Sequence, residues 1–281
     1  MRYGMNLLLW TTHVSEAHWP MLERLKAIGY DIVEVPVFET EDAAAYARLG
    51  ARLSAQGLVP HAVTALGAEA NIASEDAAVR AAGEARLRAI VDCAAALGAP
   101  TLSGPIHSAL GVFTGAGPRP DGIARSAEIL ARVAAHARPA GIRLAIEPLN
   151  RFECYLLNDL ASAAAFARRV APDAGVLYDT FHAHIEERDV AAAIAADADR
   201  IALAHVSEND RSTPGRGQVR WRETFAALKA ASYQGPLIVE AFGLALPALS
   251  AATRIWRRLF DDEFALAEEA LAFMKRQWEA P

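Results

Sequence analysis

The C-terminal half of the chain contains four short apolar runs, and each stops on a side chain able to bind a metal ion. Gly-Ile-Arg-Leu-Ala-Ile stops at Glu147, Gly-Val-Leu-Tyr at Asp179, Arg-Ile-Ala-Leu-Ala at His205 and Pro-Leu-Ile-Val at Glu240. Successive stops lie 32, 26 and 35 residues apart, each about one strand–helix unit of roughly 30 residues. A carboxylate or imidazole at the end of a buried strand costs free energy unless it finds a partner. If the four runs are neighbouring parallel strands, their last side chains meet at one rim. The chain must then fold as a parallel sheet whose strand ends share a site.

The rest of the sequence continues the same rhythm. Strands are expected at 3–9, 31–35, 58–65, 101–103, 142–146, 175–178, 201–204 and 237–239. Alanine-rich helical patterns fill 17–28, 41–56, 75–97, 121–138, 159–170, 187–197, 221–231 and 247–278. Apolar strands separated by helices imply a parallel sheet covered on its faces. Ser74 marks a helix start, and Gly29, Gly57, Gly98 and Gly141 mark helix ends. Eight strands alternating with eight helices in 281 residues predict an α/β fold, the closed (β/α)8 or TIM barrel. The expected organisation is a single domain over residues 1–281 with a long C-terminal helical segment. A doubly wound open sheet fits less well, because no Gly-x-Gly-x-x-Gly turn follows the first strand and the four candidate ligands spread over four strands. The polar, Gly- and Pro-containing loops 104–120 and 206–220 are expected to cover a substrate.

Composition narrows the partners. The net charge is −6 with no basic run, which speaks against nucleic acid. No apolar stretch reaches the roughly 20 residues needed to cross a bilayer. The first residues carry no basic segment followed by a small-residue cleavage site, so no signal peptide is expected. Cys93 and Cys154 lack metal or redox spacing and read as reduced thiols of a cytoplasmic protein.

Glu147, Asp179, His205 and Glu240 together offer three carboxylates and one imidazole. This set suits Mn²⁺ first, or Mg²⁺ or Co²⁺, with Zn²⁺ still open. Four ligands on an octahedral ion leave two positions, which the carbonyl and hydroxyl of an α-hydroxyketone would fill. The ion would polarise that carbonyl and stabilise an enediolate.

Two strings sharpen the reading. Glu147-Pro148-Leu149-Asn150-Arg151-Phe152-Glu153 sets a second carboxylate beyond the first, and Asp179-Thr180-Phe181-His182 sets a histidine beyond the aspartate. His205-Val206-Ser207-Glu208-Asn209-Asp210-Arg211 and Pro214-Gly215-Arg216-Gly217 follow, ending at Trp221. With these residues the chain resembles the sugar epimerases of the xylose-isomerase-like TIM barrels, the group of D-tagatose, D-psicose (allulose) and L-ribulose 3-epimerases. The resemblance implies a metal-dependent ketose 3-epimerase acting on a free ketose. It implies Glu147, Asp179, His205 and Glu240 as metal ligands, Glu147 and Glu240 as the proton-transfer pair at C3, and Glu153, His182 and Arg211 as substrate contacts. A homodimer or homotetramer is expected, with the amphipathic, Trp- and Phe-rich C-terminal helix packing on the barrel or forming part of an interface. Inverting a carbon beside a carbonyl requires deprotonation on one face and reprotonation on the other, which two flanking carboxylates can do.

Asn6, His107 and Arg216 depart from the group's pattern and are expected to shape the pocket for the far end of the sugar. His61 is a further candidate to face the site. Trp221 reads as a helix-capping aromatic, and Glu208 as either a partner of the site or a surface charge. The runner-up activity is an aldose–ketose or hydroxypyruvate-type isomerase on the same scaffold. A more distant one is an endonuclease IV-like nuclease, which wants three zinc ions, more histidines and a basic face.

Overall fold

The alternation is realised as a closed barrel of eight parallel strands in the computed structural model, which describes residues 1–280. The strands are β1 (Tyr3–Asn6), β2 (Ile32–Pro36), β3 (Val59–Val63), β4 (Thr101–Gly104), β5 (Arg143–Ile146), β6 (Gly175–Asp179), β7 (Ile201–Val206) and β8 (Leu237–Val239). They follow chain order around the barrel, and β8 pairs back onto β1. Ile32, Ala145, Leu177, Ala202, Leu203 and Ile238 form an apolar cluster of strand residues. Gly4 is required on β1, because a Cβ there would sit 2.8 Å from Ile238 Cγ1 and 3.0 Å from Ile32.

The larger core lies between the strands and an outer layer of helices. These are α1 (Trp19–Ile28), α2 (Ala43–Ala55), α3 (Ala77–Leu97), α4 (Pro120–Ala137), α5 (Leu160–Val170), α6 (Thr180–Glu186), α7 (Val190–Asp197), α8 (Trp221–Ala230), α9 (Pro247–Thr253) and α10 (Glu263–Glu279). Leu22, Leu25, Leu53, Leu87, Leu130, Phe166 and Phe225 are buried in this layer, each contributing about 1.5–3 kcal/mol. Gly29, Gly57, Gly98 and Gly141 all have positive φ, the left-handed conformation that ends a helix without a Cβ clash.

Several expected boundaries move. The first strand stops at Asn6, and Leu7–Leu9 form a 3-10 turn instead. Asp76, not Ser74, caps α3, accepting the Ala78 N–H at 2.7 Å. The helix expected over 187–197 begins at Val190 and is preceded by the separate short α6. The helix expected over 247–278 is two helices. Arg254 turns left-handed (φ 62) and ends α9. Ile255 then packs with Leu8, Val63 and Phe242, and Asp262 starts α10 by accepting the Ala265 N–H at 2.7 Å. Burying Ile255 beside residues of the strand-end loops outweighs the local helical pattern.

Candidate metal and acid–base centre

All four ligand candidates sit where their strands leave the barrel. Asp179 is the last residue of β6, and the register sets it beside His205 on β7. Glu147 and Glu240 follow β5 and β8 directly, each tied to the neighbouring strand through its N–H: Glu147 to Gly104 O at 3.0 Å and Glu240 to Val206 O at 3.2 Å. One oxygen or nitrogen from each of the four comes within 4.8 Å of the others, and all four residues are buried. No other such group occurs among the described residues.

Local structure aims each side chain. Asp179 doubles as the cap of α6: Oδ1 accepts the Phe181 N–H at 2.6 Å and lies 3.4 Å from His182 N. That leaves Oδ2 facing His205 Nδ1 at 3.6 Å. His205 Nε2 is held by Glu34 Oε2 at 2.8 Å, and its Nδ1, buried 3.3 Å from Glu240 Oε1, has no hydrogen-bond partner. A buried ring nitrogen left free among carboxylates is able to take a metal ion. Three hard oxygens and one borderline nitrogen fit Mn²⁺, Mg²⁺ or Co²⁺.

The charges are unequal. Burial, then the Glu240 charge, raises Glu147 well above the ordinary carboxylate range. Burial also raises Glu240, against the opposing charges of His205 and Arg211. For Asp179 burial acts upward, but Arg211 and His205 overcome it and hold the group well below its usual range. Burial opposes charging of His205, yet the Glu34 and Glu240 carboxylates raise it well above an ordinary histidine. Adjacent carboxyl groups with different proton affinities are suited to acid and base roles.

Glu153, His182 and Arg211 border the same centre. Arg211 has positive φ (64), stacks on Phe181 at 3.8 Å, and donates Nη1 to Glu240 Oε2 at 2.6 Å and to Asp179 Oδ2 at 3.1 Å. His182 Nδ1 receives the Asn150 N–H at 3.0 Å, and its Nε2 lies 3.6 Å from Glu147 Oε1. Burial, then the Arg211 charge, lowers His182 to about 3, so its ring is neutral. Arg151 pairs with Glu186 at 2.7 Å, which leaves Glu153 to accept from Asn150 Nδ2 at 2.8 Å. Glu153 and Arg211 line a cleft of about 430 Å³ with Asn150, Phe152, Phe181 and Trp256. Since Arg211 also bonds two of the candidate ligands, its guanidinium stands between cleft and centre.

Other expectations change. Asn6, His107 and Arg216 do not line this cleft. Asn6 bonds Glu34 and Glu240, His107 Nε2 lies 3.0 Å from the Glu147 carbonyl oxygen behind the site, and the exposed Arg216 pairs with Glu269 on α10. His61 lies within β3, 2.6 Å from Thr101 Oγ1, and is not among the four. Glu208 is no surface charge but is fully buried. Trp221 opens α8 and packs on Phe273 at 5.1 Å.

Glu34 escaped the sequence reading. It sits inside the apolar run Asp31-Ile32-Val33-Glu34-Val35, one of the few charges in a buried strand. The same oddity flags the other four, but those end their apolar runs, whereas Val35 continues the run beyond Glu34.

The model of one protein family, the xylose isomerase-like TIM barrel, matches residues 22–277. The chain is 33% identical to the L-ribulose 3-epimerase of Methylomonas sp. (strain DH-1), over 99% of this chain and 98% of that one. It is 33% identical to the ketose 3-epimerase of Arthrobacter globiformis, over 98% and 96% of the two. The crystal structure of a Methylomonas D-allulose 3-epimerase in complex with D-allulose superposes with a TM-score of 0.92 at 33% identity, covering 99% of this chain and 97% of that chain.

Proposed function

This chain belongs to the xylose isomerase-like TIM barrel family, and we propose that it is a metal-dependent ketose 3-epimerase acting on a free ketose such as D-fructose, D-tagatose, D-allulose or L-ribulose. The observation that carries this is the pair Glu147 and Glu240. Two buried carboxyl groups stand at the ends of β5 and β8 within one ligand set, and both have raised proton affinity. Binding a sugar needs no such pair, whereas inverting a carbon does.

Glu147, Asp179, His205 and Glu240 would hold the ion, Mn²⁺ in our reading. When bound, it supplies positive charge to the reacting carbonyl and its neighbouring hydroxyl. Arg211 and Asn6 both donate to Glu240 and favour its ionised form as the base that takes the C3 proton. Glu147 receives no side-chain hydrogen bond among the described residues, only His182 at 3.6 Å, and serves as the acid on the opposite face. In the reverse direction the two exchange roles. Glu153 and Arg211, which line the cleft, and His182 beside Glu147 bind and orient the sugar oxygens, with Phe181 at the cleft wall.

We read the chain as a single domain, supported by closure of all eight strands into one barrel and by α10 packing on α1 and α8. Free, buried Cys93 and Cys154 support a cytoplasmic setting. The highly exposed Phe152 and Trp256 support a homodimer or homotetramer, which light scattering tests.

The deciding experiment is product analysis by chromatography after incubation with D-fructose, D-tagatose, D-allulose and L-ribulose in Mn²⁺. A C3 epimer is the expected product, and an aldose without any C3 epimer overturns the reading in favour of an isomerase. Glu240→Gln should reduce turnover by at least ~10²-fold while the sugar still binds.

A further inference from the structure

We infer that Glu34 is a positioning residue for the metal centre, fixing which nitrogen of His205 faces the ion. This role rests on the metal reading above and adds to it the atoms behind His205.

Glu34 is fully buried on β2, three strands away from His205 around the closed barrel. A carboxylate in that setting is costly unless its oxygens are satisfied. All its partners are donors from other strands. Ser103 Oγ on β4 donates to Oε1 at 2.7 Å. Asn6 Nδ2 on β1 donates to Oε2 at 2.8 Å. His205 Nε2 reaches the same Oε2 at 2.8 Å. An ionised carboxylate only accepts, so the bond assigns a proton to Nε2 and leaves Nδ1 to coordinate. Nδ1 is the buried ring atom that has no hydrogen-bond partner and faces Asp179 and Glu240. A carboxylate behind a ligating histidine also makes the imidazole a better donor.

The same residue reaches the proposed base. The amide group that bonds Glu34 also lies 3.2 Å from Glu240 Oε1, and Asn6 is itself pinned by accepting the Leu8 N–H at 2.8 Å through Oδ1. Glu34 therefore orients one ligand directly and a second through Asn6. Register makes the link inevitable, since β1 and β2 pair with Asn6 opposite Glu34.

Two variants separate orientation from charge. Glu34→Gln can keep the geometry, with its amide oxygen toward Asn6 and His205 and its NH₂ toward Ser103 Oγ, whose own proton can go to Ala62 O at 3.0 Å. It loses only the negative charge. Glu34→Ala loses both. Metal-stripped proteins are titrated with Mn²⁺ by calorimetry, circular dichroism checks the metal-free fold, and ¹⁵N-histidine spectra of the Mg²⁺-loaded protein report the tautomer. The expected result is Mn²⁺ affinity down about 10-fold in Glu34→Gln and about 100-fold in Glu34→Ala. KM for the sugar at saturating Mn²⁺ should stay near wild type in Glu34→Gln, and wild-type His205 should be protonated on Nε2. Should Glu34→Ala fail to fold, the ¹⁵N-histidine spectrum of the wild type decides alone. A wild-type His205 protonated on Nδ1, or a folded Glu34→Ala protein that binds Mn²⁺ within twofold of wild type, overturns the proposal. A wild-type chain that binds no divalent ion overturns instead the metal reading beneath it.

Discussion

Glu208 is a fully buried carboxylate used entirely for support. Its Oε1 accepts the Asn209 and Val219 N–H groups at 3.1 and 3.0 Å. Its Oε2 accepts Gly215 N–H at 2.8 Å and Trp221 Nε1–H at 2.9 Å. It thus ties both ends of the loop that carries Arg211. Glu208→Ala would strand several buried donors, each costing about 1–3 kcal/mol. We expect a loss of roughly 3 kcal/mol or more in urea denaturation, together with reduced sugar binding as Arg211 loses its frame. Glu208 also shows where sequence reading stops. A glutamate in a loop carries no sign of burial, and only the folded loop reveals four donors converging on it. Glu147, Asp179, His205 and Glu240 were legible because each ends an apolar run where a hydrophobic residue belongs. Arg151 and Glu153 stood out in the sequence, but their partners, Glu186 and Asn150, lie beyond what spacing can indicate.

At the level of elements, the barrel strands followed from period and punctuation, because a strand buried on both sides must be apolar throughout. The C-terminal segment did not follow. Residues 247–278 carry helix-compatible side chains throughout, and nothing local demands the break at Arg254. The break comes from tertiary packing, as Ile255 is drawn in with Leu8, Val63 and Phe242. The restart is local, and Asp262 supplies it. Asp262→Ala should therefore destabilise α10 by about 1 kcal/mol. Thermal unfolding would register this as a lower midpoint. Asp262→Asn, which can still accept the Ala265 N–H, should recover most of it. Equal losses in the two variants would mean that charge, not the cap bond, sets the restart.

For the molecule as a whole, buried histidines couple folding to acidity. Burial lowers both His61 and His107 to about 4, against about 6.5 in an unfolded chain. The folded state keeps them neutral while the unfolded state takes up protons, so stability is lost as pH falls from about 6.5 toward 4. Each should remove roughly 2 kcal/mol between pH 7 and 5. Urea titrations in chelator should therefore show wild type losing that much more than His61→Gln or His107→Gln over this interval. The variant comparison cancels the opposite contribution of Glu147, whose raised affinity favours the folded state in acid. Closure of the barrel has a consequence for biogenesis. Asn6 reaches Glu240 across 234 residues of chain, and β1 finds its second neighbour only in β8. A nascent polypeptide emerging from the ribosome can build successive strand–helix units, but it must wait for β8 before the ring seals. The four buried side chains that could hold an ion should thus be completed only late in synthesis, leaving no partly made chain with the assembled centre.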